Sequence, residues 1–125
     1  MIGKPSRGMV VEVGLDPVIG HEQGRSRPCV VVQNDIGNRY ASTTVIVPLT
    51  HAANIAAPSP IYVLIPKGDG GTTKDSYALC DQIRTVDMRR CRGIYGTLSA
   101  ATMQQIDQAL LISLGLQRTP RPPRA

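Results

Sequence analysis

Glu22-Gln23-Gly24-Arg25-Ser26-Arg27-Pro28 runs straight into Cys29-Val30-Val31-Val32 and then Gln33-Asn34-Asp35. A glycine-interrupted polar loop carrying two arginines ends at a proline, and an apolar run begins there. Because the run is apolar at successive positions, it suits a central strand covered on both faces. Pinned to such a strand, the loop can hold a guanidinium out toward a phosphate. Arginine suits that role because it stays charged and its planar fork donates two parallel hydrogen bonds to phosphate oxygens. On residue type alone the same stretch also reads as a solvated loop before a strand.

Working outward, residues 9–13 read as the preceding strand, broken by Gly14, Asp16 and Pro17. Residues 34–38, built from Asn, Asp, Ile and Gly, read as a turn. A third strand is expected over 43–49, where Pro48 cannot donate to a ladder and marks an edge or a strand end. Residues 61–65 make a fourth. Residues 67–74 lack the spacing of a phosphate-cradling loop and read as a long hairpin connection. Residues 77–79 and 82–86 are short strands or one bent strand, and Asp87 caps a helical turn over 87–91.

One long helix is expected near the C-terminus. Ser99 is its N-cap, Leu98 and Met103 form a hydrophobic staple, and Met103, Ile106, Leu110 and Leu114 recur as one apolar stripe that Gly115 ends. The fold class is therefore mainly β with α (α+β), a small, mostly antiparallel barrel closed by a C-terminal helix. The domain is expected over 1–116. Residues 117–125, with three prolines and three arginines, are expected to form a disordered tail.

Composition narrows the function. The net charge of +5 suggests a nucleic-acid partner until it is located: Arg118, Arg121 and Arg124 lie in the last eight residues, and residues 1–117 carry 11 basic and 9 acidic side chains. A body that is only mildly basic is weak evidence for a polyanionic partner. Trp and Phe are absent, and Tyr40, Tyr62, Tyr77 and Tyr95 are the only aromatics. This argues against modules that stack bases on an aromatic platform. Cys29, Cys80 and Cys91 form no CxxC pair and no metal-site rhythm with His21 and His51, so reduced, buried thiols are expected. No stretch approaches the about 20 apolar residues of a membrane span, and a cytoplasmic chain is expected.

Several segments, in order, resemble the MazF/PemK family of toxin endoribonucleases over nearly the whole domain. They are the strand at 9–13, Gly20 to Gly24, Arg27-Pro28, the apolar strand at 29–32, Gln33 to Asn38, a later strand ending in a threonine at 44–50, Gln82 to Thr85, and Ile106 to Leu110. The resemblance implies an SH3-like barrel homodimer, of the CcdB/PemK-like type. Its members cut single-stranded RNA at short sequences without metal or cofactor, and an acidic, partly disordered antitoxin of the MazE kind holds them inactive.

By the same resemblance Arg27 matches the family's catalytic arginine and Thr50 its catalytic threonine, with Glu22 as a base or an orienter of Arg27. Strand alternation puts Thr44, Ile46, Pro48 and Thr50 on one side, so Thr50 projects from the strand end toward the loop. RNA contacts are expected from His21, Gln23, Arg25, Asn34, Gln82 and Arg84. Arg84 reads equally as a structural ion pair with Asp81 or Asp87, and Arg89, Arg90 and Arg92 read as a solvated basic face. The chain departs from the family at Gly24-Arg25, where Gly-Gly is common. Two other readings stay open: a toxin of similar fold that binds and poisons DNA gyrase, although gyrase-directed relatives use a Trp-containing end that this chain lacks, and a degenerate member that binds without cutting.

Overall fold

A computed structural model describes residues 3–117. Its strands are β1 (Met9–Gly14), β2 (Ser26–Val31), β3 (Thr43–His51), β4 (Tyr62–Ile65), β5 (Ser76–Leu79), β6 (Arg84–Asp87) and β7 (Cys91–Thr97), and its helices are α1 (Asp35–Tyr40) and α2 (Ala100–Ser113). The tail expected over 117–125 lies, apart from Gln117, outside the described residues. Among the described residues no helix is long and apolar enough to cross a membrane.

The strands form one antiparallel sheet in the order β4-β5-β3-β2-β1-β7, with β6 also paired to β3. The apolar run at 29–31 is central, as its sequence implies. Val30 joins Val10, Val47 and Leu49 in a core capped by Ile106 and Ala109 of α2, while Cys29 and Val31 join Val11, Val13 and Ile46 on the opposite face. Burying both faces of β1–β3 explains why those strands are apolar at consecutive positions rather than alternating. Cys29, Cys80 and Cys91 are free and buried, and burial pushes the Cys80 thiol up to about 12.

Three sequence expectations change. Residues 34–38 start a short helix rather than a turn: Asn34 keeps an extended backbone and its side chain accepts from the Gly37 N–H, the usual service of an N-cap. Pro48 lies within β3 rather than at its end. It falls between Ile46, the last residue paired to β6, and Leu49, the first paired to β5, where one neighbour hands over to the other. Leu114, expected on the buried stripe of α2, is 60% exposed, and the stripe is instead Thr102, Ile106 and Ala109 with half-buried Met103 and Leu110. Leu114 is the C-cap. Gly115 follows at φ +73°, and Leu116 N–H bonds to Leu111 C=O in a Schellman stop.

The barrel is open. β4 and β7 end the hydrogen-bonded order, and the tight turn at Asp69–Gly71, in the β4–β5 connection, packs against β7. A Cβ on Gly71 would stand 2.1 Å from the Tyr95 carbonyl oxygen, so only glycine allows that approach. Asp69 ties the turn to α2, accepting from the Ser99 N–H and from the hydroxyls of Ser99 and Thr102.

Candidate active site

The β2–β3 ladder is regular at Val31–Ile46, Val30–Val47 and Cys29–Pro48, and stops there. Residues 26–28 remain paired to β1, while residues 49–51 turn to β5. Prolines stand at both sides of the parting, at positions 28 and 48, and a proline has no N–H to orphan where a ladder ends. The separated strands frame a cleft of about 390 Å³ whose walls include Arg27, Pro28, Leu49, Thr50 and His51.

Two side chains expected from separate segments meet here. Arg27 donates from Nε to the Gly24 carbonyl at 2.9 Å and from Nη1 across the gap to the Leu49 carbonyl at 3.4 Å. The guanidinium is thus fixed at one edge and stretched weakly at the other, beside the residue that precedes Thr50. Thr50 is only 6% exposed, and its hydroxyl accepts from Asn54 Nδ2 at 3.1 Å, which leaves its own proton free to point into the cleft. A strand-end threonine without a function is normally solvated; this one is built into a wall.

Glu12, Tyr95 and Lys74 are also among the polar residues that line the cleft. Glu12 accepts from the Ser26 hydroxyl at 3.0 Å and from the Tyr95 hydroxyl at 2.6 Å. That bond to Glu12, helped by partial burial, pushes the Tyr95 phenol up to about 12, because ionising it would set two negative charges face to face.

The remaining expected residues lie elsewhere. Glu22, Gln23, Gln82 and Arg84 line a separate groove of about 230 Å³ with Leu15, Pro48, Asp81 and Ile83. Glu22, expected to serve Arg27 as base or orienter, is thus placed in this groove and not in the lining of the cleft. Its carboxylate accepts from the Ile19 N–H at 2.6 Å, closing its own loop. Gln23 N–H donates to the Gln82 side-chain oxygen. Arg84 donates to the Leu15 carbonyl at 2.6 Å, and pairs with neither Asp81 nor Asp87. Asn34, expected to touch RNA, caps α1 and lines neither cavity. His21 is exposed on the β1–β2 loop and also lines neither, whereas His51, from β3, lines the cleft. Arg25 lines a third, smaller notch with Arg90 and Arg92.

The family model for PemK-like, MazF-like toxins of type II toxin–antitoxin systems matches residues 6–114. The chain belongs to that family. It is 44% identical over 110 residues to the Endoribonuclease MazF of Staphylococcus epidermidis, spanning 88% of this chain and 91% of that one. Among solved structures it is similar to an endoribonuclease in complex with its cognate antitoxin from a mycobacterial species, with a TM-score of 0.74, 28% identity, and coverage of 94% and 99% of the two chains. It is also similar to MazF from Deinococcus radiodurans, with a TM-score of 0.75, 27% identity, and coverage of 89% and 96%.

In this MazF-like toxin the sequence carries only partial signals of the cleft residues Glu12, Tyr95 and Lys74. Glu12 is the one charged side chain in the otherwise apolar strand Met9–Gly14, which marks a position where the barrel opens to water. Tyr95 sits on β7, a strand hidden in the sequence by Gly93 and Gly96, since glycine weakens any strand reading. Lys74 lies in the β4–β5 connection and reaches the cleft only because that connection folds back over β7.

Proposed function

We propose that the cleft cuts single-stranded RNA without metal, the ribose 2′-oxygen attacking the neighbouring phosphorus. The O2′–P bond forms and the P–O5′ bond breaks, leaving a 2′,3′-cyclic phosphate and a 5′-hydroxyl. The chemistry needs one proton removed from the 2′-oxygen, one delivered to the 5′-oxygen, and stabilisation of the charge on the phosphorane oxygens. Arg27 is assigned the charge stabilisation and proton delivery to the leaving oxygen. The Thr50 hydroxyl donates to a non-bridging phosphate oxygen. The role of base passes from Glu22 to Glu12, the carboxylate that lines the same cleft.

The observation that carries this reading is the reach of the Arg27 guanidinium across the parted strands to the carbonyl beside Thr50. A phosphate entering the gap replaces that long 3.4 Å bond to a neutral carbonyl with shorter bonds between two ionised groups, which the planar guanidinium can make in pairs. The 44% identity to an endoribonuclease over most of both chains supports cutting over the gyrase-binding alternative.

The chain acts as the toxin of a type II pair in the cytoplasm, as a homodimer, and an acidic, partly disordered antitoxin holds it inactive. A structural relative is described as bound to its cognate antitoxin, and the cationic side chains gathered at the cleft and beside it favour an acidic partner. The test is the chemistry of the ends. Mixed RNA incubated with the toxin in excess chelator should yield fragments that accept a 5′-phosphate from a kinase directly and resist 3′-end ligation until the cyclic phosphate is opened and the resulting phosphate removed. Loss of cutting in chelator, or 5′-phosphate ends, would overturn the mechanism.

A further inference from the structure

Beside the cleft, sharing Ser26 with it, lies a notch of about 110 Å³ lined by Gly14, Asp16, Arg25, Ser26, Arg90 and Arg92. Its construction is specific at each arginine. Arg25 stands at φ +62°, and among the described residues it is the one non-glycine in the left-handed region. A branched or long side chain rarely rests there without something to hold it. The loop holds it at both backbone groups: the Arg25 N–H donates to Asp16 Oδ1 at 2.8 Å, and its carbonyl accepts from the Leu15 N–H at 2.8 Å. Arg90 crosses from the turn before β7 and donates through one nitrogen to the carbonyls of Gly14 and Asp16, at 3.1 and 2.8 Å. Its other guanidinium nitrogens are left for a further acceptor.

The Arg92 guanidinium lies directly over Gly14, where a Cβ would stand 2.8 Å from one of its nitrogens. Among the described residues the ion pairs are Arg7–Asp107 and Arg89–Asp87. None of the notch arginines has a carboxylate partner, and the notch's own acid, Asp16, is engaged by a backbone N–H. Arginine cannot shed its proton to relieve such crowding. Three cations and a single carboxylate therefore surround one small cavity, a formal excess of positive charge that favours an anion.

We propose that Arg25, Arg90 and Arg92 form a second phosphate site that grips the backbone of the substrate RNA next to the phosphate being cut. The inference rests on the nuclease reading above. The ligand class is a phosphodiester, held by planar donors and read without regard to base. A strand whose reacting phosphate lies at Arg27 passes Ser26 and sets a neighbouring phosphate in the notch. The site adds binding to ground and transition states alike, so it lowers KM and leaves kcat alone.

Arg25→Gly is the clean variant, because glycine adopts the left-handed conformation freely and the fold is kept or made firmer. Binding is read by fluorescence anisotropy with a random-sequence single-stranded 2′-O-methyl RNA, which lacks the attacking hydroxyl. Arg25→Gly and Arg92→Ser should each weaken binding and reduce the slope of log K against log salt by about 0.7. On cleavable RNA they should raise KM with kcat unchanged. If the variants bind and cut as the wild type does, while Arg27→Ala does not cut, the notch is refuted and the nuclease reading survives. If the wild type neither binds nor cuts RNA, both fall. If the variants lose affinity only for an acidic antitoxin segment, the notch serves a protein partner and the RNA assignment is overturned.

Discussion

The same two strands behave oppositely along their length. From Cys29 to Val31, β2 lies in register with β3 between two apolar clusters. From Ser26 to Pro28 the strands part, and the released Leu49 carbonyl accepts from Arg27 instead of from a ladder N–H. The closed half supplies rigidity, and the open half leaves the facing edges of the two strands unpaired with each other. The proposed role of Arg27, held at its base by one bond with a long second bond that a phosphate can displace, needs both halves on one pair of strands. The break in the ladder, rather than any one residue, creates the site.

The firm half yields the largest expected loss of stability. Ile46 is fully buried there, and Ile46→Ala should lower unfolding free energy by about 2–5 kcal/mol in urea denaturation. The folded fraction should keep its turnover number. A fall in turnover well beyond the loss of folded protein would show that the halves are not separable.

At the open half, two carboxylates should behave differently. Glu12→Gln removes the basic carboxylate in the cleft and should lower kcat by roughly 10²-fold, the lower range for losing a general base. Glu22→Gln, in the neighbouring groove, should leave kcat unchanged. The reverse result would return the base role to the loop and separate chemistry from the parted strands.

The smallest effect concerns Tyr95. Its phenol is held at about 12 rather than the ordinary 10.0 by donation to Glu12, so the folded state keeps this proton more tightly than the unfolded chain does. The stability it contributes is complete below about pH 10 and is lost as the pH rises toward 12. Phenolate absorbance should show one late-titrating tyrosine that Glu12→Gln brings back toward the ordinary value. If all four tyrosines titrated together in the wild type, the Tyr95–Glu12 bond would not exist.

How much of this was legible in the sequence follows from what each segment's neighbours are. The consecutive apolar residues at 29–31 announced a strand buried on both faces, and Ser99 with Gly115 announced the limits of α2, because periodicity and caps are local. Position 34 was ambiguous: an Asn that suits a turn also suits an N-cap, and α1 spans only six residues. β7 was invisible because Gly93 and Gly96 depress strand propensity, and Gly96 is needed where the Asp69–Gly71 turn presses in. Arg27 and Thr50 were readable through their matched segments. Glu12 and Tyr95 were not, since their meeting depends on the register between β1 and β7, whose two shifts no local pattern encodes.

The decisive experiment is single-turnover cleavage of a single-stranded RNA in chelator by wild type, Arg27→Ala, Thr50→Val and the double variant. Arg27→Ala should cut about 10²–10³ times more slowly. The double variant should lose less than the product of the single losses, because both groups act on one phosphate. Cutting by Arg27→Ala at the wild-type rate, or losses that multiply independently, would contradict the account.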